Sequence, residues 1–336
     1  CMCMATEISS VGKNVILRKL FENSGYRNDA GAVFSGGGDF VSVNRIFLER
    51  VDFDLVYNPL KHLGRKLAMN VTGELYARMS GLKALNAVLG FSNRFSYEDV
   101  RDLWEGILSV VREHSASSVS LDLIPSASGL VVGLSAYGER DRRLSSSMPE
   151  PKSKDLIVLS GDLGAAYMGF HVLEREKAAF SGSKGTVAPK QPDLSGYRYV
   201  VGEYLSPELA PGIPSEFEKA GIIPSRGYFM THGLGEAVKR ISADTGLGVK
   251  VYIERLPIAS KTMETARELN IDPITAVVNG GDDYRLLYVV PIAFHEILRR
   301  DFQNWDIIGH LARPEAGEVL VTPEGAEIGI HAQGYE

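Results

Sequence analysis

Leu156-Ile157-Val158-Leu159-Ser160-Gly161-Asp162-Leu163-Gly164-Ala165-Ala166-Tyr167 decides the fold class. An apolar run of strand length enters a turn with two glycines, and a helical pattern begins at about Ala165 and continues to about Lys177. Strand, glycine turn and helix form the repeating unit of α/β proteins, and the backbone N–H groups at such a helix start can meet an anion. The turn has neither the lysine of a Walker loop nor the spacing of a dinucleotide motif, and Asp162 can equally cap the helix.

The same alternation extends both ways from this turn. Upstream, the patterns predict helices at 14–22, 60–79 and 97–112, strands at 84–91, 117–124 and 130–137, and a β-like stretch over 40–57. Leu60, Leu63, Leu67, Val71 and Leu75 recur at helical spacing in the 60–79 segment. Downstream of a low-complexity loop at 180–192 come helical segments, a strand at 249–253, a helix at 262–269, a strand at 284–290 and three short strands over 305–330. The fold class is α/β (α+β). At 336 residues the chain exceeds what one core organises, so two domains are expected, 1–148 and 149–336, divided within the polar stretch 138–154.

Composition narrows the function classes. With 44% hydrophobic and 23% charged residues and a formal charge of -6, the chain has no nucleic-acid footprint, so any phosphate must be met by local groups. No apolar run approaches the roughly 18 residues of a membrane span, and a reducing cytoplasm is the expected location. Cys1 and Cys3 sit together at the first residues, where they build neither a disulfide framework nor a spaced metal site.

Three features can carry chemistry. The run Gly36-Gly37-Gly38-Asp39 can bring a carboxylate to a phosphate-bound Mg²⁺, or simply connect two elements. The turn Asn279-Gly280-Gly281-Asp282-Asp283 has the same two readings, the bland one being a solvated strand connector. Asp122 interrupts the apolar strand Val119-Ser120-Leu121-Asp122-Leu123-Ile124 and either needs a partner or metal or faces water at a strand end.

Several strings, taken in order, resemble thiamine-monophosphate kinase and span nearly the whole chain. They are Gly36-Gly37-Gly38-Asp39, Val51-Asp52-Phe53-Asp54-Leu55, Pro59-Leu60-Lys61-His62-Leu63-Gly64, Ser92-Asn93-Arg94-Phe95-Ser96, the Ser160–Tyr167 turn and helix start, Leu269-Asn270-Ile271-Asp272-Pro273 and Gly280-Gly281-Asp282-Asp283-Tyr284. The resemblance implies the two-domain fold of the aminoimidazole-ribonucleotide-synthetase superfamily, with an N-terminal sheet that pairs across a homodimer into a barrel and a C-terminal α/β domain. It also implies transfer of the γ-phosphate of ATP to thiamine monophosphate, with Mg²⁺ ions held by aspartates. Residues 1–148 would then bind ATP and metal and form the dimer.

Carried over position by position, the resemblance is uneven. The first Asp of the family's Gly-Asp-Asp corresponds to Asp39 and the second to Phe40; the Ser-Thr-Asp metal motif falls on Val43, Asn44 and Arg45; a substrate-contacting His falls on Asp52. The ligand Asp of the family's Asn-x-Ser-Asp helix falls on Glu74 if Tyr76-Ala77 is the anchor, the preferred register, and on Gly73 if Asn70 is. The Gly-Gly-Asp that touches ATP and metal becomes Ser120-Leu121-Asp122, and Asp-x-Ser-Asp-Gly-Leu becomes Phe229-Met230-Thr231-His232-Gly233-Leu234. The substrate-contacting Glu of Gly-Gly-Glu-Asp-Tyr is Asp282. The implied site therefore has Asp39, Glu74 and Asp122 as metal ligands, Leu121, Asp122, His114 and Thr231 against the nucleotide, Asp52 and Asp282 against the substrate, and Asp39, Asp122 and Arg45 in catalysis.

Two functions of different class follow. In one, the carboxylates hold a single Mg²⁺ with ATP while Arg45 and His232 supply the remaining positive charge for a slow small-molecule kinase. In the other, Arg45 pairs with Asp39 or Asp52, Phe40 and Phe229 fill the former metal cavity, and the chain is an inactive paralogue that binds a ligand or a dimer partner. A purine-precursor synthetase of the same superfamily is disfavoured by the kinase-like strings of the second half.

Overall fold

The computed structural model describes residues 31–35, 38–182 and 194–335. The expected helix at 14–22, Cys1, Cys3, Gly36, Gly37 and residues 183–192 of the expected loop lie outside them.

The first sheet has five strands in the order β1-β2-β5-β3-β4, namely β1 Gly31–Ser35, β2 Asp39–Leu48, β3 Ala84–Phe91, β4 Ser118–Pro125 and β5 Val131–Arg140. Neighbours are antiparallel except β3 and β4. A parallel pair needs a crossover, here the helix α2, Tyr97–Glu113. Its start is written locally: the Ser96 hydroxyl accepts from Asp99 N–H while the Asp99 carboxylate accepts from Ser96 N–H, a closed capping box.

Helix α1, Leu60–Ala77, lies beside α2 on one face of this sheet. Alternation along the strands turns Val41, Val43 and Phe47, Leu85, Ala87 and Leu89, and Val132, Leu134 and Ala136 toward the helices, where Leu63, Leu67, Val71 and Leu75 meet them. Each such side chain removed from water contributes about 1.5–3 kcal/mol. The helices touch through two glycines, since a Cβ on Gly64 would stand 2.1 Å from Leu103 O and one on Gly106 2.1 Å from Lys61 O. On the opposite face Phe40, Ile46, Leu48, Val88, Ile124 and Tyr137 are exposed.

The second sheet has seven strands in the order β12-β11-β8-β10-β6-β9-β7. They are β6 Leu156–Ser160, β7 Arg226–Met230, β8 Gly248–Tyr252, β9 Arg285–Val290, β10 Trp305–Ala312, β11 Glu318–Val321 and β12 Glu327–Gly329. Helix α3, Arg142–Ser147, joins the two sheets, and the helices that follow are α4 Ala165–Gly182, α5 Arg198–Leu205, α6 Ile213–Lys219, α7 Leu234–Thr245, α8 Ser260–Leu269, α9 Pro273–Asn279 and α10 His295–Asp301. Strand β9 is buried throughout, with Leu287 and Val289 in one core and Leu286, Tyr288 and Val290 in another, so both faces of the sheet are covered.

Helix α1 belongs to both halves. Its apolar stripe faces the first sheet, while Met69, Tyr76 and Ala77 pack with Phe217, Phe229 and Tyr288 of the second. The Tyr288 hydroxyl donates to the Tyr76 carbonyl.

Several expectations change: strand β7, Arg226–Met230, lies where only helical segments were expected, and α4 runs to Gly182, into the expected loop. The β-like stretch 40–57 stops at Leu48, because the Asp52 carboxylate takes the Leu48 N–H at 2.7 Å, Arg50 adopts φ 66°, and Arg50 N–H donates to Phe53 O. The stretch 138–154 is only partly a connector: β5 runs through Arg140 and α3 follows it. No helix among the described residues is long and apolar enough to cross a membrane.

Candidate functional site

The seam between the halves carries the candidate site. On α1, Lys66, Asn70, Glu74 and Arg78 recur every four residues and form a polar stripe beside the apolar one. Lys66 Nζ lies 3.5 Å from Asp282 Oδ1 and 3.9 Å from the centre of the Tyr204 ring. Burial pulls the Lys66 ammonium below the usual lysine range, and the neighbouring Asp282 opposes that shift. Asn70 Nδ2 donates to the Tyr284 hydroxyl at 3.2 Å. Asp282, at φ 61°, donates its N–H to Thr231 O at 2.8 Å, which joins the turn before β9 to the loop after β7. Thr231 Oγ1 and His232 Nδ1 are hydrogen-bonded at 2.8 Å. Thr231 and Asp282, two positions singled out in the sequence, are therefore neighbours.

One turn along α1, Glu74 is the centre of an arginine hub. Its Oε2 accepts from Arg78 at 3.0 Å, and its Oε1 stands 3.7 Å from Arg45 of β2 and 3.8 Å from Arg240 of α7. Burial by itself would raise the Glu74 pKa, but Arg240, Arg78 and Arg45 outweigh it and hold the carboxyl below its usual range. Among the described residues Arg45 pairs with Glu74.

Gly73, next to Glu74, faces Phe229. A Cβ there would lie 2.2 Å from two atoms of the Phe229 ring, so only the absent side chain lets β7 approach the helix this closely. Phe229 is fully buried and meets Tyr284 edge-on at 5.6 Å. Thus two positions where the resemblance puts carboxylates, Gly73 in one register and Phe229, form an apolar contact. Phe40 does not share this filling role, because it is exposed on the far face of the first sheet.

The glycine turn of 160–164 is also occupied from within the protein. Asp283 Oδ1 accepts from Gly164 N–H at 3.0 Å, at the start of α4. Asp162 does not cap that helix: its carboxylate accepts from the Tyr199 hydroxyl and from Arg285, whose guanidinium also reaches Glu203 at 2.8 Å. Asp283 is buried, not solvated, and its Oδ2 has no hydrogen-bond partner among the described residues. Burial pushes its carboxyl up to about 7 against the pull of Arg285 and the Gly164 N–H.

The remaining candidates disperse. Asp39 shares the helix-side parity of Val41 and Val43 and pairs in register with Arg140. Asp122 lies at one level with Val88, Gly133 and Ile46 across the sheet, and its parity puts it on the outer face with Ser120, whose hydroxyl bonds Asn86. Ile46 and Asp39 are separated by seven steps of β2, so within one subunit the two carboxylates stand about 20 Å or more apart, on opposite faces. The Asp122 carboxylate is exposed and accepts from Leu123 N–H, the water-facing one of its two sequence readings, on the edge strand β4. Leu121 is exposed on the same strand. His114 is buried after α2, its Nδ1 bonded to the Tyr76 hydroxyl at 2.6 Å, with burial lowering its pKa. Asp52 holds the turn after β2.

These residues do not fit a cluster of Mg²⁺ ions. Among the described residues no three His, Cys, Asp or Glu side chains gather as a metal site, and the acceptor capacity of Glu74 is directed at guanidinium groups. Sequence reasoning missed Lys66, Arg78, Arg240 and Arg285, although the four-residue spacing of Lys66, Asn70, Glu74 and Arg78 was legible.

No family model matches the chain. It is 20% identical over 297 residues to thiamine-monophosphate kinase of Bacillus subtilis, covering 86% of this chain and 85% of the relative. A putative hydrogenase expression/formation protein of Methanocaldococcus jannaschii is 22% identical over 278 residues, 81% of this chain and 77% of the relative. Among solved structures, the Aquifex aeolicus thiamine-monophosphate kinase complexed with AMPPCP and TMP superposes with a TM-score of 0.77 at 17% identity, covering 97% of each chain. The fold is thus shared with solved structures of a thiamine-monophosphate kinase and of a hydrogenase maturation protein. In sequence the chain is similar to thiamine-monophosphate kinases, at 20% identity to the Bacillus subtilis protein and 23% to that of Pyrococcus horikoshii.

Proposed function

We propose that this chain is a ligand-binding, dimer-forming relative of thiamine-monophosphate kinase whose metal-dependent phosphoryl transfer is lost or strongly weakened. The observation that carries this reading is the state of Glu74: its carboxylate is shared among Arg45, Arg78 and Arg240, beside an apolar Gly73–Phe229 contact. Phosphoryl transfer relies on cations that neutralise the moving group, and members of such a cluster act as a unit, so losing several removes most of the rate enhancement. The ligand class is a small phosphate ester such as ATP or thiamine monophosphate, met at the seam by Lys66, Thr231 and Asp282. The boundary falls near 148/149, and the exposed face of the first sheet closes a barrel with a second copy.

The test is turnover. Purified protein with ATP, Mg²⁺ and thiamine monophosphate is expected to yield no thiamine diphosphate above the protein-free control, while ATP or thiamine monophosphate raises the melting temperature. Product that scales with protein concentration, and is lost in Asp282→Asn, would restore the kinase reading.

A further inference from the structure

Lys66 of α1 carries an amine that is kept from water without a close partner. Its side chain is 7% exposed, and Asp282 Oδ1, its charged neighbour among the described residues, stands at 3.5 Å, at the far limit of a hydrogen bond. Two ring faces stand beside the amine, Tyr204 of α5 at 3.9 Å and Tyr284 at 5.5 Å from Nζ to ring centre. Both rings are held by their hydroxyls: Asn58 Nδ2 donates to that of Tyr204 at 3.4 Å and Asn70 Nδ2 to that of Tyr284 at 3.2 Å. Asp282 leads from the amine to water. Its side chain is 46% exposed, and its N–H bond to Thr231 O ties down the turn that carries it.

An ammonium has three N–H donors to satisfy when it leaves water, and Asp282 meets them only at long range. Burial therefore pulls the amine below its ordinary 10.5, against the pull of Asp282. The two phenols add no charge, since burial raises both hydroxyls, that of Tyr204 to about 12. A dehydrated amine with a carboxylate to take its proton is the arrangement that turns lysine into a nucleophile toward carbonyl carbon.

We propose that Lys66 is a covalent anchor, whose Nζ condenses with a small aldehyde or ketone at the seam to form an imine, with Asp282 carrying the proton. The inference rests on the small-ligand reading above and adds a reaction to that site, with a carbonyl beside the phosphate. Lys66 first gives one proton to Asp282. The Nζ lone pair then forms the N–C bond while the carbonyl π pair moves to oxygen, and a second nitrogen proton passes to that oxygen. The hydroxyl leaves as water with the proton that Asp282 held, the nitrogen lone pair closes C=N, and the protonated imine faces the Asp282 carboxylate. Charge is the same at the end as at the start, and nothing is oxidised or reduced.

Borohydride trapping tests this, because reduction fixes an imine as a stable secondary amine. The full chain, in a Cys1→Ser/Cys3→Ser background that removes competing thiols, is treated at pH 7 with pyridoxal 5′-phosphate, then with borohydride, and mapped by peptide mass spectrometry. The adduct is expected at Lys66, about tenfold or more ahead of the exposed Lys61, Lys83 and Lys219. Its rate rises with pH through a midpoint below 10.5, and Asp282→Asn slows it about tenfold or more without changing the other lysines. Phosphate-free pyridoxal separates the two readings: equal labelling of Lys66 by both aldehydes keeps the imine and removes the phosphate-ester reading. Adducts spread over the exposed lysines with Lys66 spared overturn the imine, and this mapping needs no variant at Lys66. An Asp282→Asn chain labelled at Lys66 as fast as the natural residue allows overturns the proton-carrying role of Asp282.

Discussion

Replacing Glu74 with alanine should be among the most damaging single changes in this protein. The carboxylate is almost fully buried and sits between Arg78 at 3.0 Å, Arg45 at 3.7 Å and Arg240 at 3.8 Å. Removing it leaves cations facing one another in a poorly hydrated seam, and breaking a buried pair in this way costs about 3–5 kcal/mol. At the roughly 2 °C per kcal/mol expected of a large chain, the melting temperature falls by roughly 6–10 °C. Urea unfolding followed by circular dichroism reads the free energy directly, and an unchanged m-value separates lost stability from a changed unfolded state. Because the folded-state pKa of Glu74 is depressed, its contribution is present above the usual value of 4.5 and is lost as pH falls through the lower folded-state value. The gap to Glu74→Gln is therefore constant above about pH 5 and narrows below it. Pairing Glu74→Ala with Arg240→Met should recover part of the loss, since the uncompensated charge goes with it. A Glu74→Ala protein within about 1 kcal/mol of the natural one at pH 7 would refute the hub as a strong interaction.

Three further outcomes follow from the same seam and its flanks. Gly73→Ala drives a Cβ to 2.2 Å from the Phe229 ring and should cost about 1–3 kcal/mol or more, with Phe229→Leu recovering part; an unaffected melting temperature contradicts the contact. The lowered pKa of His114 means its neutral form stabilises the fold above pH 6.5 and that this is lost as pH falls, so His114→Gln should show a flatter stability curve between pH 7 and 5.5 in urea titrations. For Asp283 the sign is opposite: with its carboxyl raised to about 7, stability present below the usual 3.8 is lost as pH rises through that value. Asp283→Asn keeps an oxygen for Gly164 N–H and should gain on the natural protein between pH 5 and 8, whereas a constant difference denies the titration.

Local elements were legible because local physics writes them. Leu60, Leu63, Leu67, Val71 and Leu75 mark one face of α1 whatever packs on it, and the start of α2 is closed by Ser96 and Asp99, three residues apart. The turn at 160–164 was equally clear as a strand-to-helix corner. Its occupant was not, because Asp283, which takes the Gly164 N–H, arrives from far along the chain.

Charge partners had the same fate. Periodicity states which face of α1 is apolar, and the spacing of Lys66, Asn70, Glu74 and Arg78 gathers those polar groups into one stripe. Whether Glu74 holds a cation or is held by arginines depends on where β2 and α7 bring Arg45 and Arg240, a matter of through-space distance. Asp122 makes the same point from the other side: its apolar neighbours left a partnered and a water-facing reading open, and the place of β4 as the last strand of its sheet decides for water. The sequence alone determined α1, α2 and the strands over 84–91, 117–124, 130–137 and 284–290, since those follow from neighbours within a few residues, while β7 at Arg226–Met230 lies where only helical segments were expected. Only the tertiary structure decided which carboxylates are paired, buried or in water, because electrostatic energy depends on distance and surroundings rather than on order along the chain.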